Sequence, residues 1–277
     1  MSLRTLQAGT AGLPPRIEVR NPAGSVTLEA VEGSDALDVR VEALDATAEQ
    51  LLDRVEIDVS HAYPDLSDSR VSLRIAVPER RLWSTPAFDV RILTPAGAAA
   101  RVAVASADVQ LRGRFGHTEL TAASGDVTVD EAQELEIRSA SGDVRAGSVL
   151  GGASVVTASG EIRLGYVAGR LRARTASGDV SAEHTGDAAS IKTASGDVRV
   201  GTAAGENLQV ETASGDVSVA VPPGLRIRLE LHSISGRMSF DLDEDTDRSE
   251  ASTDVTLNLE TVSGDIRIGR AAPAPVA

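Results

Sequence analysis

From about residue 96 onward, apolar or small residues alternate with polar ones in short runs, and the runs recur at nearly constant spacing. One coil reads Leu208-Gln-Val-Glu-Thr212-Ala-Ser-Gly-Asp-Val217-Ser-Val219. Side chains of a strand point alternately to its two faces, so Leu208, Val210 and Thr212 share one face while Gln209 and Glu211 share the other. The same slots hold Ala153/Val155/Thr157, Leu171/Ala173/Thr175, Ala189/Ile191/Thr193, Leu229/Leu231/Ser233 and Leu257/Leu259/Thr261. They are apolar or small throughout, and this is the inward face. A second strand then turns Val127/Val129, Val144/Ala146, Ile162/Leu164, Val180/Ala182, Val198/Val200, Val217/Val219, Met238/Phe240 and Ile266/Ile268 inward.

Between the two strands lies a repeated corner. Its copies are Ser124-Gly125-Asp126, Ser141-Gly142-Asp143, Ser159-Gly160-Glu161, Ser177-Gly178-Asp179, Ser195-Gly196-Asp197, Ser214-Gly215-Asp216 and Ser263-Gly264-Asp265. Ser235-Gly236-Arg237 is a variant, and Ser106-Ala107-Asp108 a degenerate first copy. Counted from the glycine (Ala107 in the first copy), successive steps are 18, 17, 18, 18, 18, 19, 21 and 28 residues. A period near 18 is the mark of a solenoid, in which each coil buries its apolar face only by stacking on its neighbours. The expected fold is all-β: a single-stranded β-helix over residues 96–270, with an acidic insertion at 241–254 that lengthens the last step. Nine coils stacked at about 4.8 Å would make a rod roughly 40 Å long.

The corner has a physical rationale without any chemistry. Glycine tolerates a positive φ at the bend, and Ser and Asp side chains accept hydrogen bonds from nearby backbone amides. We read these residues as a structural turn ladder. Thr157, Thr175, Thr193, Thr212 and Thr261 would stack inside as a hydroxyl ladder, each bonding a neighbouring coil.

Residues 16–95 lack the corner phrase but keep strand alternation, at Ile17/Val19, Val26/Leu28, Leu37/Val39/Val41, Val55/Ile57/Val59, Val71/Leu73/Ile75/Val77 and Phe88/Val90/Ile92. Turn signals separate them at Asn21-Pro22-Ala23-Gly24, Glu32-Gly33-Ser34-Asp35 and Tyr63-Pro64-Asp65. This predicts an N-terminal β lobe, partly of degenerate coils, that caps the solenoid, because an uncovered terminal coil is a template for edge-to-edge pairing. A short helix is expected around Ala46–Asp53. Residues 1–15 read as a flexible N-terminus, and 271–277, with Pro273 and Pro275, as a disordered tail.

Composition narrows the function classes. Aromatics are 2% of the 277 residues, so the core volume comes from Val, Ile, Leu and Ala, which suits a narrow layered β core. A net charge of −14, with no useful run of Lys or Arg, opposes nucleic acid as a partner. There is no cysteine, so neither a disulfide nor a thiolate metal site is expected. The first residues lack the apolar run of a secretory signal, and no later run approaches 18 apolar residues. The expectation is a cytoplasmic chain without a transmembrane segment, with the membrane periphery open to it.

Candidate catalytic residues are few. His61, His117, His184 and His232 fall in four separate segments, outside any nucleophile-elbow or His-Glu-x-x-His motif. The acids Asp126, Asp143, Glu161, Asp179, Asp197 and Asp216 would stack at about 4.8 Å, with unscreened repulsion in water of roughly 1 kcal/mol per adjacent pair. Arg145, Arg163 and Arg199, two residues on and on the same face, offset that repulsion. Sugar platforms would have to come from Trp83, Tyr63, Tyr166, Phe88, Phe115 and Phe240 alone. The calcium β-roll nonapeptide is missing, and the run Asp241-Leu-Asp243-Glu-Asp245-Thr-Asp247 starts like an EF-hand loop but has Thr246 in place of the glycine and Ser252 in place of the glutamate. No catalytic, metal or cofactor residue is assigned.

The Thr-Ala-Ser-Gly-Asp-Val phrase, preceded by the Val71–Pro78 strand and by Leu93-Thr-Pro95, resembles the bacterial adhesin-like β-strand-repeat family, also called the toastrack domain, over about residues 16–270. The resemblance implies a single-stranded β-helix, no attached enzymatic activity, and a scaffold or sensing role beside membrane-stress modules or transporters. It brings no functional residues with it. The leading reading is a non-enzymatic β-helix scaffold that binds a protein partner or itself, linked to membrane-stress or envelope functions. The alternatives are a surface adhesin or envelope protein exported by another route, and a self-polymerising β-helix of the bactofilin kind.

Overall fold

The computed structural model describes residues 2–10, 12–61, 71–78, 85–242 and 254–271. Tyr63, Trp83, the side chain of His61, most of the acidic insertion with its Asp243–Asp247 run, and the tail from 272 lie outside the described residues. The chain is an all-β solenoid of parallel strands and divides into two compact units, Met1–Asp143 and Val144–Ala277.

The first unit runs β1 (Leu3–Gly9), β2 (Arg16–Val31), β3 (Ala36–Ala43), α1 (Ala46–Leu51), β4 (Glu56–His61), β5 (Val71–Ala76), β6 (Phe88–Pro95), β7 (Ala99–Ala122) and β8 (Val127–Ser139). Its first rung is β2 itself, bent at Asn21-Pro22-Ala23-Gly24. One edge of β2 carries β7 in parallel from Arg16 to Glu29, Ile17 against Ala100 and Val26 against Val109. The other edge carries β5 beside residues 16–20 and β6 beside residues 24–31. There the parallel stacking gives way to antiparallel strands, with β3 on β6, β4 on β5 and β1 on β3. Within the stretch the sequence marks as a flexible N-terminus, residues 3–9 form β1. Arg4, Leu6 and Ala8 alternate as its half-buried face, and pairing with β3 satisfies backbone groups that would otherwise line an open edge. The helix stands at its expected place, begun by Asp45, whose Oδ1 accepts from the Ala48 amide at 2.7 Å, and continued by a 3-10 turn over Leu52–Arg54.

The second unit runs β9 (Val144–Val149), β10 (Ala153–Thr157), β11 (Ile162–Val167), β12 (Leu171–Ser177), β13 (Val180–Thr185), β14 (Ala189–Ser195), β15 (Val198–Val200), β16 (Asn207–Ser214), β17 (Val217–Val221), β18 (Arg226–Ser235), β19 (Met238–Asp241), β20 (Asp254–Ser263) and β21 (Ile266–Arg270). Two parallel ladders rise together. One is β10-β12-β14-β16, in which Ala153, Leu171, Ala189 and Leu208 align. The other is β9-β11-β13-β15-β17, in which Val144, Ile162, Val180, Val198 and Val217 align and are all at most 1% exposed.

Rung order then departs from chain order. β20 pairs β16 on one side and β18 on the other, and β21 lies likewise between β17 and β19. The last segment of the chain is thus inserted beneath the one before it. The Pro222-Pro-Gly-Leu225 link carries the chain past a vacant level, and the long step before Asp254 lets it return to fill that level. As a result Met238 and Phe240, which the alternation places in the core, are 40% and 50% exposed, because their rung is the outermost among the described residues of this unit. The aligned Ile266 and Ile268, one level in, are 0% and 1% exposed.

The corner glycines are required by the neighbouring rung as well as by the bend. Gly196 has φ of +145°, and a Cβ there would lie 2.1 Å from the carbonyl oxygen of Gly178 on the adjoining rung. In the first unit, a Cβ on Gly125 would lie 2.3 Å from the carbonyl oxygen of Ala107. Only a hydrogen fits such a gap, whatever the backbone angle.

Candidate functional site

Two features carry most of the polar side chains that chemistry would need: the column of corner acids and a groove in the first unit. At six of the corners the acid reaches to the next rung. In the first unit, Oδ1 of Asp108 accepts from the Asp126 amide and Oδ1 of Asp126 from the Asp143 amide, both at 2.9 Å. In the second, Asp179 accepts from Asp197 and Asp197 from Asp216 at 2.8 Å, then Asp216 from Asp265 and Asp265 from Arg237 at 2.9 Å. The opposite bond closes the clamp: Val180 donates to the Asp197 carbonyl and Val198 to the Asp216 carbonyl. Ser124 and Ser141 donate to the carbonyls of Ala105 and Ala123 one rung away. Sequence reasoning expects such bonds within the turn, whereas these bonds join successive turns.

Arginines meet some of the column's charges, whereas Arg199, expected to offset Asp197, forms no ion pair with another described residue. Glu161, the one longer acid, pairs with Arg163. Arg267 bridges two rungs, with Nη1 3.0 Å from Asp216 and Nη2 3.1 Å from Asp265. The Asp265 amide, and after it the Arg267 guanidinium, hold the Asp216 carboxyl below the usual carboxylate range. The internal threonines divide. Thr157 and Thr175 donate to carbonyls of their own corners, Ser159 and Ser177, at 2.8 and 3.1 Å. Thr193, Thr212 and Thr261 face the adjoining rung's Gly178, Gly196 and Gly215 at 3.4–3.5 Å. The expected inter-coil bond holds for these last three, whereas the first two bond within their own corner.

The groove has a volume of about 520 Å³ and is lined by outward side chains of β3, β6, β2 and β7. Register orders them in rows across the sheet. Arg40, Arg91, Thr27 and Gln110 form one, flanked by Glu42, Asp89, Ser25 and Asp108 on one side and by Asp38, Leu93, Glu29 and Arg112 on the other. Asp89 is the most enclosed of these acids at 8% exposure. It accepts from Ser25 Oγ and pairs with Arg91 at 2.7 Å. Asp38 accepts from Gln7 of β1 at 2.9 Å and lies 3.5 Å from Arg40. Arg40 and Arg91 stand directly opposite each other, with side chains 61% and 68% exposed. Like charges directly opposite repel, and each is held by an acid two residues along its own strand.

The histidines remain apart. His117 lies 3.2 Å from Glu134 in the first unit, and His184 stacks on Tyr166 in the second with ring centroids 5.1 Å apart. His232 is exposed on β18. Among the described residues no group of three or more His, Asp or Glu is arranged to hold a metal, and no helix is long and apolar enough to cross a membrane. Sequence reasoning missed the groove. Its one signal was the charge in the outward slots Asp38/Arg40/Glu42 and Asp89/Arg91, and nothing in the chain reveals that the antiparallel pairing of β3 with β6 sets those slots side by side.

A comparison with curated proteins returns no match. Among solved structures, the chain is similar to a putative lipid binding protein from Parabacteroides distasonis (13% identity, TM-score 0.41, covering 98% of this chain and 97% of that one). It is similar also to a putative adhesin from Parabacteroides merdae (12%, 0.39, 96% and 95%) and to a putative cell adhesion protein from Clostridium sporogenes (11%, 0.31, 97% and 99%). The family model Toastrack DUF4097 matches residues 16–204 and again 186–269, from the first rung to the last. With its Ser-Gly-acid corners and parallel rungs inside that span, the chain belongs to the Toastrack DUF4097 family.

Proposed function

We propose that this chain is a non-enzymatic scaffold whose groove in the first unit holds a segment of a protein partner. The observation that carries the reading is the paired display of Arg40 and Arg91 on adjacent strands, both more than half exposed, in a groove of about 520 Å³. An acidic side chain seated between two guanidinium groups makes charge-assisted bonds to both and relieves their mutual repulsion. Strands hold such a display more rigidly than loops, so little ordering cost falls on the scaffold. Two of the acids beside the arginine pair are already engaged, Asp89 by Ser25 and Arg91 and Asp38 by Gln7 and Arg40, which supports a binding role over proton transfer for them. In this reading the corner ladder is structural.

The test is chemical cross-linking in the native host followed by reconstitution with the purified partner. Arg40→Gln/Arg91→Gln is expected to abolish binding while the protein stays folded with a modestly lowered melting temperature, since Asp89 keeps Ser25 but loses Arg91, and Arg174→Gln in the second unit to leave binding intact. Equal binding by the double variant, or substrate turnover that depends on Asp89, would overturn the proposal.

A further inference from the structure

The outermost rung of the second unit is, among the described residues, an open end. Among the described residues, β18 pairs only with β20, so its other edge presents unpaired N–H and C=O groups along Arg226–Ser235. Its inward side chains Ile227, Leu229 and Leu231 are half-buried, whereas the aligned Val255, Leu257 and Leu259 one level in are fully buried. Backbone groups and apolar side chains on this edge are both left half-satisfied.

The outward side chains of β18 are Arg226, Arg228, Glu230 and His232, all exposed, so opposite charges meet along the strand between Arg228 and Glu230. Inside the unit, such charges find partners across the ladder, as Lys192 does with Glu211 at 2.6 Å. On β18 the neighbours offered by β20 are neutral where it matters, Thr256 beside Arg228 and Asn258 beside Glu230, and neither charge forms an ion pair with another described residue. The strand is, however, complementary to itself when reversed. Set antiparallel about Leu229, it places Arg228 opposite Glu230 twice, Ile227 opposite Leu231 twice, and Leu229 opposite itself. Directly opposed residues in an antiparallel pair share a face, so apolar side chains meet apolar ones and opposite charges meet each other.

We infer that β18 pairs antiparallel with β18 of a second copy of this chain, about a two-fold axis at Leu229, closing the open end as an isologous dimer. A two-fold contact uses up the edge on both copies and stops there, while a head-to-tail contact would continue into a filament. This surface belongs to the second unit and is independent of the groove proposed above.

Sedimentation equilibrium of the full chain is expected to show a reversible dimer. Arg228→Glu sets Glu opposite Glu230 at both symmetric positions and is expected to weaken association about tenfold. The swap Arg228→Glu/Glu230→Arg restores opposite charges and should recover wild-type affinity, which a general folding defect would not do. Because the chain has no cysteine, Leu229→Cys provides a clean register probe: residues opposed across antiparallel strands lie within disulfide reach, and oxidation should give a covalent dimer. A monomer at all concentrations, open-ended polymers, failure of the charge swap to rescue, or a Leu229→Cys chain that oxidises no faster than a Thr128→Cys control would each overturn the inference.

Discussion

The amide of Asp197 donates to Oδ1 of Asp179 at 2.8 Å, so that two acids eighteen positions apart are joined by the side chain of one and the backbone of the other. The same relationship recurs between Asp197 and Asp216 and between Asp216 and Asp265. The acid of the Ser-Gly-Asp corner is therefore a staple between rungs, and its charge strengthens the bond it accepts.

If that staple accounts for the acid, its oxygen matters more than its charge. Asp197→Asn keeps an acceptor and is expected to cost a few tenths of a kcal/mol, whereas Asp197→Ala should cost about 1 kcal/mol. Val198→Asp, one residue on at 1% exposure, places an unpaired charge in the stacked core and should abolish soluble expression. Thermal melts of the three variants order these effects, and equal losses for Asp197→Asn and Asp197→Ala would refute the staple.

Acid should loosen the ladder at a defined point. The Asp265 amide and Arg267 depress the Asp216 carboxyl below its ordinary value of 3.8. A depressed folded value means that Asp216 contributes its full stabilisation above about pH 4 and loses it as pH falls through the lower folded value. Because the side chain is 41% exposed, the effect is screened and small. Melting temperatures measured from about pH 5 down to about pH 2 should fall less steeply for Asp216→Asn than for the wild type.

Close approach between rungs predicts a sharp contrast among glycines. Gly196→Ala meets the Gly178 carbonyl at 2.1 Å and should prevent correct stacking, seen as insoluble protein or a large fall in melting temperature. Gly33 has φ of +71° with nothing within 4 Å of the place a methyl group would occupy, so Gly33→Ala should cost only about 1 kcal/mol of backbone strain.

Calcium is expected to leave the protein unchanged. The Oδ1 atoms of Asp126, Asp179, Asp197 and Asp216 already accept backbone amides, and a cation would have to compete with those bonds. Calorimetric titration should show no micromolar binding and no rise in melting temperature. A polysaccharide cleavage screen should show no turnover that disappears in Asp179→Asn.

The solenoid was legible because a period of about 18 residues and an alternation of two act on the same positions: Val180, Val198 and Val217 are predicted inward by both, and they stack in register. What could not be read are relationships that depend on which rung lies next. The amide that Asp179 holds belongs to Asp197, and nothing local to Asp179 says so. Met238 and Phe240 carry the pattern of core residues, and only the insertion of Ile266 and Ile268 beneath them leaves them exposed. The groove depends on an antiparallel crossing of β3 and β6 that periodicity cannot reveal, since antiparallel strands break the repeat.

The inverted order of the last two rungs sets a problem of timing during synthesis. On a ribosome, β18 and β19 emerge before β20 and β21, and at that moment the edges of β16 and β17 that β20 and β21 later occupy are open as a template. Leu229, Leu231 and Ser233 match the slots of Leu257, Leu259 and Thr261 closely enough to dock there first. The late segment would then find its place taken, and the native arrangement would require the early one to let go. This end of the solenoid should accordingly fold in two kinetic phases, with a slow step that disappears in a circularly permuted chain that supplies residues 254–271 ahead of 226–241.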